Sequence, residues 1–237
     1  MLDARAIYRL TKKTPDLVWN EYVCRPVAAV VVWGLKDTRV TPNQVTLASL
    51  GLAGVSVVLL VILPGWLGLV VAAVVFELSY VLDCADGMLA RLRKMQSTPG
   101  HLFDFLMDEL KAFAVLGACS VRLWLEHGND ARFLVVGIVG LVAVASGIAL
   151  TTFVRRPEIA GPAPSVATSP APSVASPVRV VVGLVERAAK LVIHYPSYFL
   201  VVALCGRLDL YFFPYVAVNS LYASRTLLQV ALRFGRA

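Results

Sequence analysis

The chain has 237 residues, of which 58% are hydrophobic and only 16% charged, and its mean hydropathy is +0.75. A water-soluble domain of this size could not hide so much apolar surface in one core, so the composition predicts an integral membrane protein. The net charge of +7 could suggest a nucleic-acid partner. The basic residues instead collect at alternate connections between apolar stretches, so we expect membrane lipid rather than nucleic acid beside them.

Residues 1–40 are expected to form a cytoplasmic interfacial segment. The apolar stretch 27–35 is too short to cross a bilayer, and Arg25 and Lys36 flank it. This pattern is typical of a helix that lies at the membrane surface. The stretch follows mixed charges, which does not resemble a cleavable signal peptide.

Residues 41–237 are predicted to form a catalytic domain of six transmembrane helices. A spanning helix needs about 20 mostly apolar residues, and the candidates are 44–63, 66–84, 103–125, 132–154, 191–206 and 209–231. The fifth candidate is short, and Pro196 interrupts it. We therefore expect an all-α integral membrane protein with an N-terminal interfacial helix and six transmembrane helices.

The connection after the fourth predicted span has two parts. Residues 157–177 are rich in Pro, Ala and Ser without periodicity, which predicts a flexible cytoplasmic loop. Residues 178–190 mix charges with valines and leucines, and either a second surface helix or a helix extension would fit them.

Lysines and arginines precede the first predicted span and follow the second, fourth and sixth. The opposite connections are nearly free of positive charge. By the positive-inside rule, this alternation predicts a multi-pass protein with both termini in the cytoplasm. The basic connections hold Arg25, Lys36, Arg39, Arg91, Arg93, Lys94, Arg155, Arg156, Arg179, Arg187, Lys190, Arg233 and Arg236.

The first spanning helix begins with the sequence TPNQVT. Thr41 can cap the helix, Pro42 suits its first position, and Gln44 completes a capping box. Asn43 and Thr46 lie on one face of an otherwise apolar helix. They could contact a polar ligand or hydrogen-bond to a neighbouring helix, and the sequence leaves both readings open.

Four aspartates lie between the second and third predicted spans. On a helix, Asp83, Asp86, Gly87 and Ala90 follow the spacing i, i+3, i+4 and i+7, which places two carboxylates and two small residues on one face. In the next helix Gly100, Asp104 and Asp108 recur at i, i+4 and i+8, and Lys111 lies one turn further on. If the two faces meet, they concentrate four carboxylates at the cytoplasmic ends of both helices.

Four carboxylates cannot all stay ionised in a low-dielectric pocket without cations. Carboxylate oxygens suit Mg²⁺ or Mn²⁺, and two such ions can polarise a pyrophosphate and stabilise a departing phosphate. Two alternatives stay open. The aspartates could form helix-end ion pairs with Arg91, Arg93, Lys94 and Lys111. The chain could also be a transporter that relays cations or protons.

These residues carry a family resemblance. The positions from Asp83 to Asp108 match the pattern D-x2-D-G-x2-A-R-x8-G-x3-D-x3-D without a gap. This segment resembles the signature of the CDP-alcohol phosphatidyltransferase family, and TPNQVT looks like the start of that family's first membrane helix. The resemblance covers about residues 25–111.

The resemblance implies an enzyme of phospholipid synthesis that transfers a phosphatidyl group from CDP-diacylglycerol to an acceptor hydroxyl and releases CMP. It implies two bound Mg²⁺ or Mn²⁺ ions, with Asp108 as the base that takes the acceptor's proton. It also implies a homodimer in a prokaryotic inner membrane, with the active site on the cytoplasmic side. The implied metal ligands are Asp83, Asp86, Asp104 and Asp108, and the implied nucleotide-binding residues are Asn43, Thr46, Asp86, Gly87, Ala90, Arg91 and Gly100.

The signature is common to family members with different acceptors. A polyol or polyol phosphate, such as inositol phosphate or glycerol phosphate, is our first expectation, and serine or an amino-alcohol is the alternative. Lys111, Arg155, Arg156 and Arg225 are candidate ligands for an anionic acceptor. Arg155 and Arg156 could instead be ordinary positive-inside anchors.

Overall fold

The computed structural model describes residues 3–13, 16–156, 159 and 196–235, and its regular elements within these ranges are all helical. The predicted loop 157–177, apart from Ile159, and the segment 178–190 lie outside the described residues. The described elements are α1 (Ala4–Thr11), a π-helix (Asn20–Cys24), α2 (Arg25–Leu35), α3 (Pro42–Ile62), α4 (Gly65–Leu92), α5 (Thr98–Glu126), α6 (Ala131–Val154), α7 (Pro196–Leu204) and α8 (Asp209–Phe234).

The predicted capping box at the start of α3 is confirmed. The backbone N–H of Gln44 donates to the Thr41 hydroxyl, and the N–H of Thr41 donates to the Gln44 side chain. Pro42 occupies the first turn, where its missing N–H costs no hydrogen bond. The start of α3 is therefore fixed by local sequence.

The helices α3 to α6 form an antiparallel bundle to which α7 and α8 add. α3 packs against α4 and α5, α6 packs against α5 and α8, and α7 packs against α4. A tight turn at Gly65, whose φ is +71°, connects α3 to α4. Arg122 of α5 closes this turn, because its guanidinium donates to the carbonyls of Leu60, Leu63 and Gly65 at 2.6–2.9 Å.

Large apolar side chains are exposed on the outer faces of the bundle, as in a protein surrounded by lipid rather than water. Val58 of α3 and Ile138 of α6, for example, are 54% and 61% exposed. Among the described residues, three helices are long and apolar enough to cross a membrane: α3, α4 and α6. The first half of α5 carries several charges, and only nine residues of α7 are described.

The segment before α3 packs alongside α4. The Trp19 indole N–H donates to Glu77 Oε2 at 3.2 Å, and the Tyr80 hydroxyl donates to the Asn20 side chain at 2.8 Å. Buried apolar residues of α1 and α2 join those of α4 in a cluster separate from the main bundle core. The predicted short apolar helix is present as α2, and its place at a membrane surface stays a prediction.

The two ends of the bundle differ in charge. Where α3 ends and α4 begins, Arg122, Arg132 and Arg207 each pair with a nearby acid, at 2.6–2.7 Å. The other end, where α3 begins and α4, α6 and α8 end, holds Arg91, Arg93, Lys94, Arg155, Arg156 and Arg233. We call this second end the site end, because the candidate site lies there.

Candidate functional site

Three of the predicted metal ligands meet at the site end. Asp83 lies near the end of α4, and Asp104 and Asp108 lie one turn apart in the first half of α5. Each offers a carboxylate oxygen, and the three oxygens lie within 4.8 Å of one another. α4 and α5 both pack against α3, and their side chains at this end thus bring together two short sequence patterns that were predicted to face each other.

Lys111 lies among these carboxylates. Its side chain is only 2% exposed, and its ammonium donates to Asp83 Oδ1 and, at 3.1 Å, to Asp108 Oδ1. The predicted ion-pair alternative therefore accounts for Asp83 and Asp108. A role of Lys111 in acceptor binding stays a prediction.

The donor set of this carboxylate group fits a hard divalent cation. Oxygen atoms of carboxylates are the ligands that Mg²⁺ and Mn²⁺ prefer. Oδ1 of Asp104 is buried and has no hydrogen-bond partner among the described residues. A buried, unpaired carboxylate oxygen is costly, so a cation beside it would restore the missing interaction.

Asp86, the fourth predicted ligand, lies outside this group. Its Oδ2 accepts a hydrogen bond of 2.5 Å from the Thr46 hydroxyl of α3, and both residues are buried. Thr46 therefore bonds to a neighbouring helix, which was one of the two readings of its polar side chain. The contact joins two predicted nucleotide-binding residues that are 40 positions apart in sequence.

Gly87 and Arg91 form a shallow face one turn beyond Asp83. Among the described residues, a Cβ atom added to Gly87 would have the Arg91 guanidinium as its nearest neighbour, 3.4 Å from the closer nitrogen. Arg91 is itself anchored, because its Nε–H donates to the Thr11 carbonyl at 3.0 Å. Gly87 and Ala90 are half-buried. The face is thus open enough for a ligand, and the positively charged guanidinium of Arg91 lies above Gly87.

The start of α5 approaches the start of α3. The Ser97 hydroxyl caps α5 by accepting the Gly100 N–H at 3.1 Å. A Cβ atom at Gly100 would lie 3.7 Å from Oδ1 of Asn43. Asn43 and Gly100, both predicted nucleotide-binding residues, are therefore neighbours.

A cavity of about 460 Å³ lies between the ends of α6 and α8. Arg155, Arg225 and Arg233 line it, so two of the four predicted acceptor ligands meet there, whereas Arg156 lines a different cavity. Sequence reasoning treated Arg233 only as a topological anchor. Its spacing of eight residues from Arg225, two turns on one helix face, was the signal that could have found it.

Comparison with known proteins gives the same family as the motif. The sequence pattern of the CDP-alcohol phosphatidyltransferase family matches residues 39–206. Over 128 residues the chain is 34% identical to a Corynebacterium glutamicum protein named phosphatidylinositol phosphate synthase. That alignment covers 54% of this chain and 54% of the relative, so the chain matches about half of the relative's length.

Proposed function

The chain belongs to the CDP-alcohol phosphatidyltransferase family, and on that premise we propose that it transfers a phosphatidyl group from CDP-diacylglycerol to a small polar acceptor. The acceptor hydroxyl forms the new bond to phosphorus, the pyrophosphate bond breaks, and CMP leaves. The proposed acceptor is a polyol phosphate, with inositol phosphate first, because the similar Corynebacterium protein is named phosphatidylinositol phosphate synthase.

The observation that carries the proposal is the meeting of Asp83, Asp104 and Asp108, with an oxygen of each within 4.8 Å of the others. The ammonium of Lys111 offsets part of the charge of these three carboxylates, and the remaining negative charge is unfavourable at the end of a membrane bundle. A reaction on a pyrophosphate needs such a group, because divalent ions must offset the negative charge of the substrate.

We assign Asp83, Asp86, Asp104 and Asp108 to two Mg²⁺ or Mn²⁺ ions. When bound, the ions would neutralise the pyrophosphate and make CMP a better leaving group. The unpaired Oδ1 of Asp104 supports this assignment directly. Asp86 would bind an ion only if its carboxylate contacts that ion and accepts the hydrogen bond from Thr46 at the same time.

Asp108 is the proposed general base for the acceptor hydroxyl. Its side chain is 41% exposed, more than that of Asp83 at 12%, so a soluble acceptor can reach it. Lys111 donates a hydrogen bond to Asp108 Oδ1, which fixes the orientation of the carboxylate. A base must lie within hydrogen-bond reach of the proton that it removes, and an oriented, accessible carboxylate meets this need.

The proposed nucleotide site is the adjoining surface of α3, α4 and α5. Asn43, Thr46 and Gly100 border it on one side, and Gly87, Ala90 and Arg91 on the other. Small residues let a nucleotide approach the backbone, and a guanidinium can pair with a phosphate. The Arg91 guanidinium above Gly87 supports this arrangement.

The proposed acceptor site is the cavity of Arg155, Arg225 and Arg233. Three guanidinium groups around about 460 Å³ suit a phosphorylated polyol better than a neutral alcohol. Lys111 and Arg156 remain candidates for the same acceptor. Serine or an amino-alcohol is less well matched, because such acceptors bring an ammonium group toward the arginines.

We further propose the membrane arrangement expected from sequence. Residues 41–237 would form six transmembrane helices, and residues 1–40 would lie at the cytoplasmic surface of a prokaryotic inner membrane. The arginines and lysines gathered at the site end support a cytoplasmic location for that end, because the arginines of the opposite end are neutralised by acids. A homodimer is proposed from the family resemblance alone.

The test is an assay of the purified protein with radiolabelled CDP-diacylglycerol and a panel of acceptors, with lipid products separated by thin-layer chromatography. The panel contains inositol phosphate, glycerol phosphate, inositol and serine. We expect CMP release and a new labelled lipid with one of the two phosphorylated acceptors. If no acceptor yields product while the protein binds a divalent cation, the enzyme assignment is wrong and the cation-transporter alternative gains support.

A further inference from the structure

Arg93 lies just outside the aspartate signature, at the C-cap of α4. Its guanidinium donates three hydrogen bonds to backbone carbonyls of the connection between α2 and α3. NH1 donates to Val40 at 2.5 Å, and NH2 donates to Thr38 at 2.9 Å and to Leu35. A planar guanidinium with several N–H donors can satisfy three carbonyls together, which a single ammonium group cannot do in the same geometry.

The positive charge of Arg93 suits its contacts with these backbone carbonyls. Leu35 is the last residue of α2, at the negative end of the helix dipole, and its carbonyl also accepts hydrogen bonds from the N–H and the hydroxyl of Thr38. Arg93 is also the C-cap residue of α4, and its backbone N–H donates to the Leu89 carbonyl at 3.0 Å. Arg93 therefore ties the ends of two helices to the connection that leads into α3.

This connection sets the position of the start of α3 relative to α4. Only Thr41 separates Val40, whose carbonyl Arg93 holds, from Pro42, the first residue of α3. The first turns of α3 carry Asn43, beside Gly100, and Thr46, which bonds to Asp86. A shift at residues 35–40 would move both side chains relative to α4 and α5.

We infer that Arg93 is a positioning residue for the nucleotide site, which it orients by fixing the start of α3 to the end of α4. Arg93 acts through Asn43 and Thr46 and does not itself touch the donor. The inference rests on the proposed function, since it assumes that those side chains meet a CDP-linked donor.

The experiment compares wild-type protein with Arg93→Met and Arg93→Lys. Methionine removes all three hydrogen bonds but keeps much of the apolar side-chain volume, and lysine keeps the charge but not the planar fork. We expect the KM for CDP-diacylglycerol to rise roughly 10-fold or more in Arg93→Met, as for a displaced binding group, with kcat little changed. The donor KM of Arg93→Lys should lie between those of the wild type and Arg93→Met.

Amide hydrogen exchange supplies a readout that does not depend on turnover. Residues 36–46 should exchange faster in Arg93→Met than in wild type, while the middle of α3 stays protected. Lys94→Asn is the matched control. It removes the neighbouring positive charge from an exposed residue whose φ of 55° asparagine tolerates, and we expect wild-type kinetics and exchange.

The outcomes separate this inference from the proposed function. Wild-type protein that neither binds CDP-diacylglycerol nor releases CMP would overturn both. An active wild type with unchanged donor KM in the folded Arg93 variants would overturn the positioning role alone. A lower melting temperature together with a lower kcat at constant KM would also overturn the positioning role, because Arg93 would then only stabilise the fold. If Arg93→Met does not fold, the KM of Arg93→Lys decides.

Discussion

Replacing Gly87 by leucine should block donor binding without weakening the fold. Gly87 lies in the interior of α4, and the nearest atoms to a Cβ added there belong to Arg91, with NH1, NH2 and Cζ at 3.4, 3.9 and 4.0 Å. A Cβ alone fits at these distances. The outer carbons of leucine would occupy the place of the guanidinium and of any nucleotide lying against this face.

The size of each effect follows from these contacts. Leucine is favoured over glycine in a helix interior by about 0.5–1 kcal/mol, so thermal stability should hold or rise. The displaced guanidinium would lose a charge-assisted hydrogen bond to phosphate, worth about 2 kcal/mol. That loss corresponds to roughly 30-fold weaker donor binding, and the steric conflict with the nucleotide adds to it.

The assay measures melting temperature and CDP-diacylglycerol affinity for each variant in the same detergent. Gly140→Ala is the contrasting control, since its Cβ would lie 2.7 Å from Cγ2 of Val216 and 3.1 Å from Cδ2 of Leu116. Such overpacking should cost about 1–3 kcal/mol of stability and leave donor affinity unchanged in the folded protein. Near-wild-type donor affinity in Gly87→Leu would remove Gly87 from the site, and a large fall in melting temperature would show that Gly87 is a helix-packing residue.

Three further predictions concern the metal ions, the base and the acceptor. Removal of divalent cations with EDTA should abolish CMP release, and Mg²⁺ or Mn²⁺ should restore it; a full rate without metal would refute the two-metal proposal. Asp108→Asn should abolish turnover but keep donor binding, measured by titration with CDP-diacylglycerol, whereas a loss as large as that of Asp83→Asn would make Asp108 mainly a metal ligand. Arg225→Ala should raise the KM for a phosphorylated acceptor roughly 10-fold, as for a lost charge-assisted hydrogen bond, and leave the donor KM unchanged. Equal effects on both substrates would argue against a separate acceptor site.

The local features of this protein follow from the sequence by itself. The capping box of Thr41 and Gln44 was predicted from four consecutive residues and is confirmed. The shared face of Asp104 and Asp108 was equally predictable, because helix geometry fixes which residues at i and i+4 are neighbours. The family also follows from sequence, since the spacing of the signature does not depend on how the helices pack.

The partners of these side chains were decided only by the tertiary structure. Lys111, a candidate acceptor ligand, is buried between Asp83 and Asp108, a contact that the sequence offered only as one alternative. Asp86 was expected to join the other three aspartates but hydrogen-bonds to Thr46. Both outcomes depend on the rotation of one helix against another, which hydrophobic periodicity leaves loosely defined in a chain whose outer faces are apolar as well.

The contacts made by the arginines were still further from prediction. Arg91 and Arg93 look alike in sequence, as two cations at the end of a membrane helix. One donates to Thr11, 80 positions earlier, and the other to three carbonyls between Leu35 and Val40. Backbone carbonyls carry no sequence signal, because every residue has one. Only the packing of the N-terminal segment against α4 determines which of them each guanidinium meets.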